Sequence, residues 1–178
     1  MVAASGQRER FAAQVLPHLD DAYRFARWLG NARADAEDIV QEAMLRAFRG
    51  FAALRAPAVK PWLLTIVRNC HVDAARQRQR READRQALAD APGAGAPDPQ
   101  LAAIQSQSEL ELQRLLSGLS AEHRETLALR EVAELSYREI ATLTGVPIGT
   151  VMSRLSRARE SLREHWQAET QELDHGMR

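Results

Sequence analysis

Two stretches of helical periodicity near the C-terminus are separated by a glycine and a proline, and this arrangement constrains the fold more than any other feature. Ser136 and Glu139 have the spacing of a capping box, which begins the first helix. Gly145 suits the left-handed residue that ends a helix, and Pro147 prevents the helix from continuing. The sequence therefore predicts two helices joined by a tight turn.

The spacing of Ala141, Gly145 and Val151 is typical of a helix-turn-helix. A small residue lets the two helices approach, the glycine makes the turn, and a branched residue seats the second helix on the first. That second helix is predicted to begin near Ile148. Its apolar stripe consists of Val151, Leu155, Ala158 and Leu162.

The opposite face of this second helix carries hydroxyls and guanidiniums, which bind phosphates and base edges. Its residues are Thr150, Ser153, Arg154, Arg157 and Arg159. A basic face is also common on helices that only contact solvent. Combined with the helix-turn-helix spacing, however, it favours DNA binding.

Composition favours an all-α fold of one domain or two small ones. The chain has 178 residues, 45% of them apolar and 5% aromatic, and it shows no alternating strand pattern. The formal net charge is zero, so total charge predicts no polyanionic partner. The charges are nevertheless segregated, with basic segments at 60–81 and 149–163 and an acidic segment at 33–42. This distribution suits DNA contact together with a separate protein contact.

No metal, cofactor or disulfide is predicted. Cys70 is the single cysteine, and we expect it to lie in a helix core. The histidines are scattered and show no metal spacing: His18, His71, His123, His165 and His175. No signal peptide or long apolar run is evident, which predicts a cytoplasmic protein without membrane insertion.

The N-terminal domain is predicted to span residues 8–81, after a loose tail at 1–7. A first helix should run from Arg8 to Leu29 with a break at Pro17. Its inward face is predicted to contain Phe11, Val15, Leu19, Ala22, Ala26 and Leu29. A second helix should run from Asp35 to Phe48, with acidic residues in its first turn.

A polar ridge follows this second helix. It comprises Asp35, Asp38, Gln41, Glu42 and Arg46. The helix dipole explains the first carboxylates but not the continuation of the ridge, which suits a protein-docking face.

A loop at 50–61 and a helix from Trp62 to Arg81 should complete this domain, with Trp62 as a core anchor. One helix face is predicted to be polar and basic, and Phe51 and Leu54 lie in the loop beside it. Together with Lys60, its residues are Asn69, Asp73, Arg76 and Arg80. A basic groove beside an apolar pocket is typical of proteins that bind single-stranded nucleic acid. A solvated amphipathic helix without such a function would show the same sequence pattern.

Residues 82–108 are rich in Ala, Gly, Pro and Gln, which predicts a flexible linker. The C-terminal domain is predicted to span 109–168. It should begin with a helix at 109–116, continue with a helix capped by Ser120 that ends near Val132, and finish with the helix-turn-helix. The polar tail after Trp166 is expected to be frayed.

Three blocks of sequence resemble the extracytoplasmic-function sigma factors of bacterial RNA polymerase. They are DAEDIVQEAMLRAF at 35–48, WLLTIVRNCHVDAARQRQRR at 62–81 and LSAEHRETLALREVAELSYREIATLTGVPIGTVMSRLSRARESL at 119–162. The resemblance implies two conserved helical domains, 2 and 4, joined only by a linker. It also implies binding to core polymerase and to promoter DNA, and control by an anti-sigma factor.

The resemblance also implies roles for individual residues. The 35–48 helix would dock on the β′ clamp helices. The protein as a whole would also contact the β flap of core polymerase. Asn69 would help form the pocket for a flipped −10 base, and Arg76 and Arg80 would hold phosphates of the strand. The −35 contacts would include Arg130, Ser153, Arg154 and Arg157. Met152 stands where the family often has Lys or Arg, so one −35 contact is expected to be absent or altered.

Two other functions fit parts of the sequence. A free-standing helix-turn-helix regulator would bind duplex DNA as a dimer, but the N-terminal half offers no dimer stripe or ligand pocket. A helical nuclease would need clustered carboxylates and histidines at metal spacing, which the sequence lacks.

Overall fold

The computed structural model describes residues 2–30, 32–54, 58–89, 114, 116 and 118–175, and every regular element within these ranges is helical. The N-terminal domain contains α1 (Val2–Val15), α2 (Leu19–Trp28), α3 (Arg33–Gly50) and α4 (Val59–Ala89). The C-terminal domain contains α5 (Ala121–Leu127), α6 (Tyr137–Thr144) and α7 (Ile148–His175). This confirms the predicted all-helical fold.

Short irregular turns connect several of these helices. A 3-10 turn at Leu16–His18 contains Pro17 and separates α1 from α2, as predicted. A second 3-10 turn, Phe51–Ala53, follows α3 directly. A π-helical turn, Ala128–Val132, extends α5, and the Ala133 amide closes it by donating to the Ala128 carbonyl over 3.0 Å.

Three helices run further than predicted. α1 begins at Val2, so residues 2–7 are not a loose tail. α4 continues to Ala89, eight residues beyond its predicted end at Arg81, and α7 continues to His175 rather than fraying after Trp166. The sequence-based boundaries were placed where the apolar stripe stops. The next strong helix breaker after α4 is Pro92, and the one after α7 is Gly176. The polar residues between the end of each apolar stripe and its breaker are compatible with helix. The predicted helix at 109–116 lies almost wholly outside the described residues.

The core of the N-terminal domain forms where α2, α3 and α4 meet. Phe25 is fully buried, as are Leu63, Leu64 and Val67 of α4. The predicted inward stripe of α3 is confirmed, since Ala36, Ile39, Val40, Ala43 and Ala47 are all buried. Cys70 is 3% exposed, in agreement with its predicted core position, and burial raises the pKa of its thiol.

Leu19 departs from the predicted inward face of the first helix. It is 41% exposed, and Leu16 just before it is 47% exposed. The 3-10 turn at Leu16–His18 displaces the chain locally, next to Leu19, while Ala22, Ala26 and Leu29 further along are buried as predicted. As a result, two leucines lie on the surface.

The two domains pack against each other. Arg68 of α4 forms an ion pair with Glu125 of α5, and Arg124 donates to the Leu29 carbonyl at the end of α2. The sequence predicts two tethered domains, and nothing in it indicates this contact.

Candidate nucleic-acid and polymerase interfaces

The helix-turn-helix is built by local interactions that the sequence predicts. The Ser136 hydroxyl accepts a bond from the Glu139 amide (3.3 Å), and the Glu139 carboxylate accepts one from the Ser136 amide (2.8 Å). The Ser136 hydroxyl, which donates to the Glu139 carboxylate over 2.7 Å, and the Ser136 amide together lower the pKa of Glu139. Gly145 ends α6 with φ of +73°, and its amide donates to the Ala141 carbonyl over 2.9 Å. Val151 is fully buried where α7 seats on α6.

The outer face of α7 exposes most of the predicted −35 residues. Ser153, Arg157 and Arg159 are exposed, and Thr150 is half-buried at the start of the helix. Met152 lies on the same face and is 53% exposed, so an apolar side chain is presented where a cation would extend the contact. This face can approach a major groove without rearrangement of the domain.

Two arginines of α7 are held by carboxylates of α5 and of the π-helical turn that follows it. Arg154 Nη2 lies 2.6 Å from Glu122 Oε2, and Arg159 Nη2 lies 2.7 Å from Glu131 Oε1. The hydrogen bond to Glu131 raises the pKa of Arg159. Sequence reasoning did not identify Glu122 or Glu131, because residues about 30 positions apart show no spacing signal.

Arg130, the remaining predicted −35 residue, lies in the π-helical turn. Its guanidinium donates to the Leu135 carbonyl over 3.0 Å and lies 5.3 Å from the centre of the Tyr137 ring. These contacts brace the chain segment that leads into α6. Contact with DNA by Arg130 stays a prediction.

The polar face of α4 is arranged largely as the spacing predicts. Asn69, Arg76 and Arg80 are all exposed and, at spacings of seven and four residues, lie on one side of the helix. Asp73 lies on the same side but is bound to Arg46 of α3 at 2.8 Å. We refer to Asn69, Arg76 and Arg80 as the α4 strip.

The apolar wall predicted beside this strip needs correction. Phe51 is 3% exposed, and its ring packs edge-on against Phe11 at 5.4 Å between centroids. Leu54 is half-buried against the same core. The 3-10 turn after α3 folds back on α1, so the Phe51 ring is not available to an unstacked base in this conformation. Trp62 is partly buried against the core and lies nearer to the surface than a full core anchor.

Lys60, at the start of α4, is also engaged within the protein. Its Nζ atom lies 2.8 Å from Asp21 Oδ2, and its side chain is 23% exposed. A role in holding a DNA strand would require this ion pair to exchange for a phosphate.

The predicted polymerase ridge divides into two parts. Glu42 and Arg46 pair with each other at 2.7 Å, and Arg46 reaches on to Asp73, while Asp35 pairs with Arg78 at 2.9 Å. These ion pairs tie α3 to α4.

Asp38 and Gln41 are exposed and line a groove of about 1030 Å³ between α1, α2 and α3. Three exposed leucines surround them, Leu16, Leu19 and Leu45, and the last is 50% exposed. Sequence reasoning missed this apolar component. The sequence feature that could have revealed it is the position of Leu16 and Leu19 on either side of Pro17.

Neither a metal site nor a membrane span is found in the part of the chain that the structure describes. Within it, no group of three or more histidine, cysteine or carboxylate residues is placed to hold a metal ion. No described helix combines the length and apolar character needed to cross a membrane.

Two family models match the chain, Sigma-70 region 2 at residues 15–81 and Sigma-70 region 4 at residues 109–162. The ECF RNA polymerase sigma factor SigC of Mycobacterium tuberculosis is 31% identical over 166 residues, which cover 90% of this chain and 85% of SigC. The chain belongs to the extracytoplasmic-function sigma factors. The sigma factor SigE of Mycolicibacterium smegmatis is 34% identical over 154 residues, covering 85% of this chain and 59% of SigE.

Two solved structures share the fold. The sigma factor RpoE of Bartonella quintana, crystallised with the anti-sigma factor NepR, has a TM-score of 0.70 and 31% identity, covering 89% of this chain and 98% of RpoE. CnrH, solved with the cytosolic domain of CnrY, has a TM-score of 0.68 and 23% identity, and the match covers 93% of each chain. The chain is thus a transcription initiation factor with the two regions through which sigma factors bind core polymerase and promoter DNA.

Proposed function

We propose that this sigma factor reads the −35 element with the outer face of α7 and reads and melts the −10 element with the α4 strip. The observation that carries the proposal is the exposure of both surfaces. An intact helix-turn-helix exposes Ser153 and Arg157 with the half-buried Arg154 beside them, and Asn69 lies on the same side of α4 as two exposed arginines. Arginine forks suit guanine edges in the major groove, and the Asn69 amide can both donate to and accept from a base.

Run-off transcription with core polymerase on a promoter library tests this function. We expect specific transcripts only when both core polymerase and the protein are present, and the selected promoters should share two separated elements. Specific binding of the protein alone to duplex promoters in a gel shift, with no transcripts, would instead support a free-standing regulator. Cleavage of plasmid DNA with divalent metal would support a nuclease. We further propose that the chain has no catalytic activity of its own and needs no cofactor. We propose a cytoplasmic location.

We propose that polymerase docks on the groove that contains Asp38 and Gln41, with the β′ clamp helices as the partner. Leu16, Leu19 and Leu45 supply apolar contact area, and the carboxylate of Asp38 on the rim orients the partner. The β flap is the proposed partner of the C-terminal domain.

Reversing charge at Asp38, or replacing Leu45 by Ser, should weaken core binding in a pull-down without loss of helical content. The matched control is Glu82→Gln, which removes a carboxylate from an exposed pair on α4 away from the groove. Unchanged binding of the Asp38→Lys, Leu45→Ser double variant would place the docking site elsewhere.

We also propose that a small anti-sigma protein controls this chain. The proposal is supported by the likeness to RpoE, which is 31% identical and was crystallised with NepR. Copurification of a partner that blocks core binding is the expected result. Control through expression level alone, with no such partner, would contradict it.

A further inference from the structure

Large apolar side chains are exposed in three places among the described residues. Three leucines line the proposed polymerase groove, and Trp166 lies on the distal part of α7. The remaining two, Ile148 and Met152, lie in the first two turns of α7 and are 40% and 53% exposed. The core beneath this part of α7 is formed by Val151 and Leu155 instead, so the exposed pair is not part of it.

Ile148 and Met152 are neighbours on one side of α7. They are four residues apart, a spacing that places two side chains one above the other on a helix. Ser153 and Arg157, which the proposed function assigns to the −35 element, follow Met152 by one and five residues and are exposed. The apolar pair therefore borders the proposed reading surface.

The charges around the pair favour a polyanionic partner. α7 itself carries no carboxylate before Glu160, whereas three arginines lie within about two turns of Met152. Two apolar side chains in basic surroundings suit the major groove of DNA. The apolar group that a base edge presents there is the C5-methyl group of thymine.

Gly149 lies between the two apolar residues, and nothing within the chain requires a glycine there. It is exposed, its φ is not positive, and apart from its neighbours on the helix no atom lies within 4 Å of the position that a Cβ would occupy. Glycine stabilises a helix less than alanine does. A glycine at this position suits a surface that a partner must approach closely, as DNA approaches the first turns of a recognition helix.

Met152 has room to adapt its conformation. It borders a cavity of about 350 Å³ that Tyr137, Leu155 and Ser156 also line. Its unbranched side chain has three rotatable bonds, so it can change rotamer and follow a methyl group. Ile148 is branched at Cβ and is restricted to fewer rotamers. The pair thus combines a fixed apolar surface with an adjustable one.

We propose that Ile148 and Met152 read thymine in the −35 element through apolar contact with its C5-methyl group, and that Gly149 lets α7 come close enough for this contact. The contact distinguishes an A·T pair from a G·C pair without a hydrogen bond. It would add base discrimination beside Ser153 and Arg157. This inference rests on the proposed function, because it requires α7 to lie in the major groove of the −35 element.

Replacement of thymine by uracil tests the contact, because uracil lacks only the C5-methyl group. The duplex is a promoter selected in the run-off experiment, and each thymine of its −35 element is replaced singly on either strand. Binding of the holoenzyme is measured by competition. At the contacted thymine, uracil should weaken wild-type binding about fourfold, which corresponds to burial of one methyl-sized group.

Variants of the pair identify the side chains that make the contact. The Ile148→Ala, Met152→Ala double variant should bind the thymine and uracil duplexes alike, and Met152→Leu should keep most of the difference. Trp166→Ala is the matched control, because it removes an exposed apolar side chain about 21 Å further along the same helix. It should show the full effect of uracil.

Gly149→Ala gives a second readout. Alanine should leave the thermal unfolding midpoint equal to that of wild type or higher, because no atom obstructs its Cβ. Affinity for every duplex −35 sequence should nevertheless fall, because the methyl group holds α7 away from the bases. Unchanged affinity would show that no close approach occurs at Gly149 and would overturn that part of the proposal.

The outcomes separate this inference from the proposed function. The inference is wrong if no thymine of the −35 element is sensitive to uracil, if the selected element has no A·T pair, or if the sensitivity persists in the double variant. It is also wrong if the double variant loses binding to core polymerase instead, since the pair would then be a polymerase contact. In each of these cases, weaker −35 binding by Arg157→Ala leaves the proposed function standing. If the −35 sequence has no effect on binding of the wild-type holoenzyme, the proposed function itself fails.

Discussion

The two proposed DNA-binding surfaces differ in how their arginines are held. On α7, Arg154 is bound by Glu122 of α5, and Arg159 is bound by Glu131 of the π-helical turn. On α4, no carboxylate of the described residues forms an ion pair with Arg76 or Arg80, and nearby Asp73 is engaged by Arg46.

This difference corresponds to two kinds of nucleic acid. A duplex presents base edges at fixed positions in the major groove, so a guanidinium held in place loses less freedom on binding. A melted strand has no fixed geometry, and mobile cations can follow its phosphates. The comparison supports the proposal that α7 reads duplex DNA and that α4 captures a single strand.

The largest expected effect comes from a core substitution beneath one of the two surfaces. Leu155→Ala removes a side chain that is 1% exposed beneath the outer face of α7 and should destabilise the C-terminal domain by about 2–5 kcal/mol. Recognition of −35 duplex should then fail, while the isolated −10 strand is still bound by holoenzyme. Chemical denaturation and binding measurements check this, with Ser156→Ala, exposed on the same helix, as the control. Equal loss of both activities would mean that the surfaces are not separable.

Single arginines on α7 should have separable roles. Replacing an arginine that contacts guanine with two hydrogen bonds should reduce discrimination against the wrong base by about 1–3 kcal/mol. Replacing one that contacts phosphate should weaken all sequences alike. Competition binding of Arg154→Ala and Arg157→Ala holoenzymes to −35 variants distinguishes the roles. If neither variant changes affinity or base preference, the recognition surface lies elsewhere.

The smallest expected effect comes from weakening the ion pair that holds Arg154 on α7. Glu122→Gln leaves Arg154 in place but weakens the bond that holds it, and an exposed ion pair of this kind contributes about 0.2–1 kcal/mol. We expect a small loss of −35 base discrimination and no change in strand binding at −10. Discrimination equal to wild type, measured in the same competition assay, would show that Arg154 needs no positioning carboxylate.

Local features of the fold were predictable and contacts between distant segments were not. Ser136, Glu139 and Gly145 act within a few residues of each other, so their spacing alone specifies the cap and the turn. The direction of the Phe51 ring depends on where α1 lies, and the Arg68–Glu125 pair joins residues 57 positions apart. The exposed face of the α4 strip was predictable because its residues share one helix. The carboxylates that hold Arg154 and Arg159 lie on other segments and were missed.

The division of labour between the two surfaces is tested most directly by permanganate reactivity of thymines in the −10 element. Wild type, Asn69→Ala and Arg157→Ala are compared as holoenzymes on a duplex promoter and on a template already melted across −10. Extruding a stacked base costs a few kcal/mol, and Asn69 is proposed to offset part of that cost.

We predict that Asn69→Ala loses thymine reactivity on the duplex and forms stable complexes on the pre-melted template, because the cost of extrusion is already met there. Arg157→Ala should be impaired on both templates, since its −35 element remains duplex in each. Equal reactivity of wild type and Asn69→Ala on the duplex promoter would contradict the account and make Asn69 an ordinary surface residue of α4.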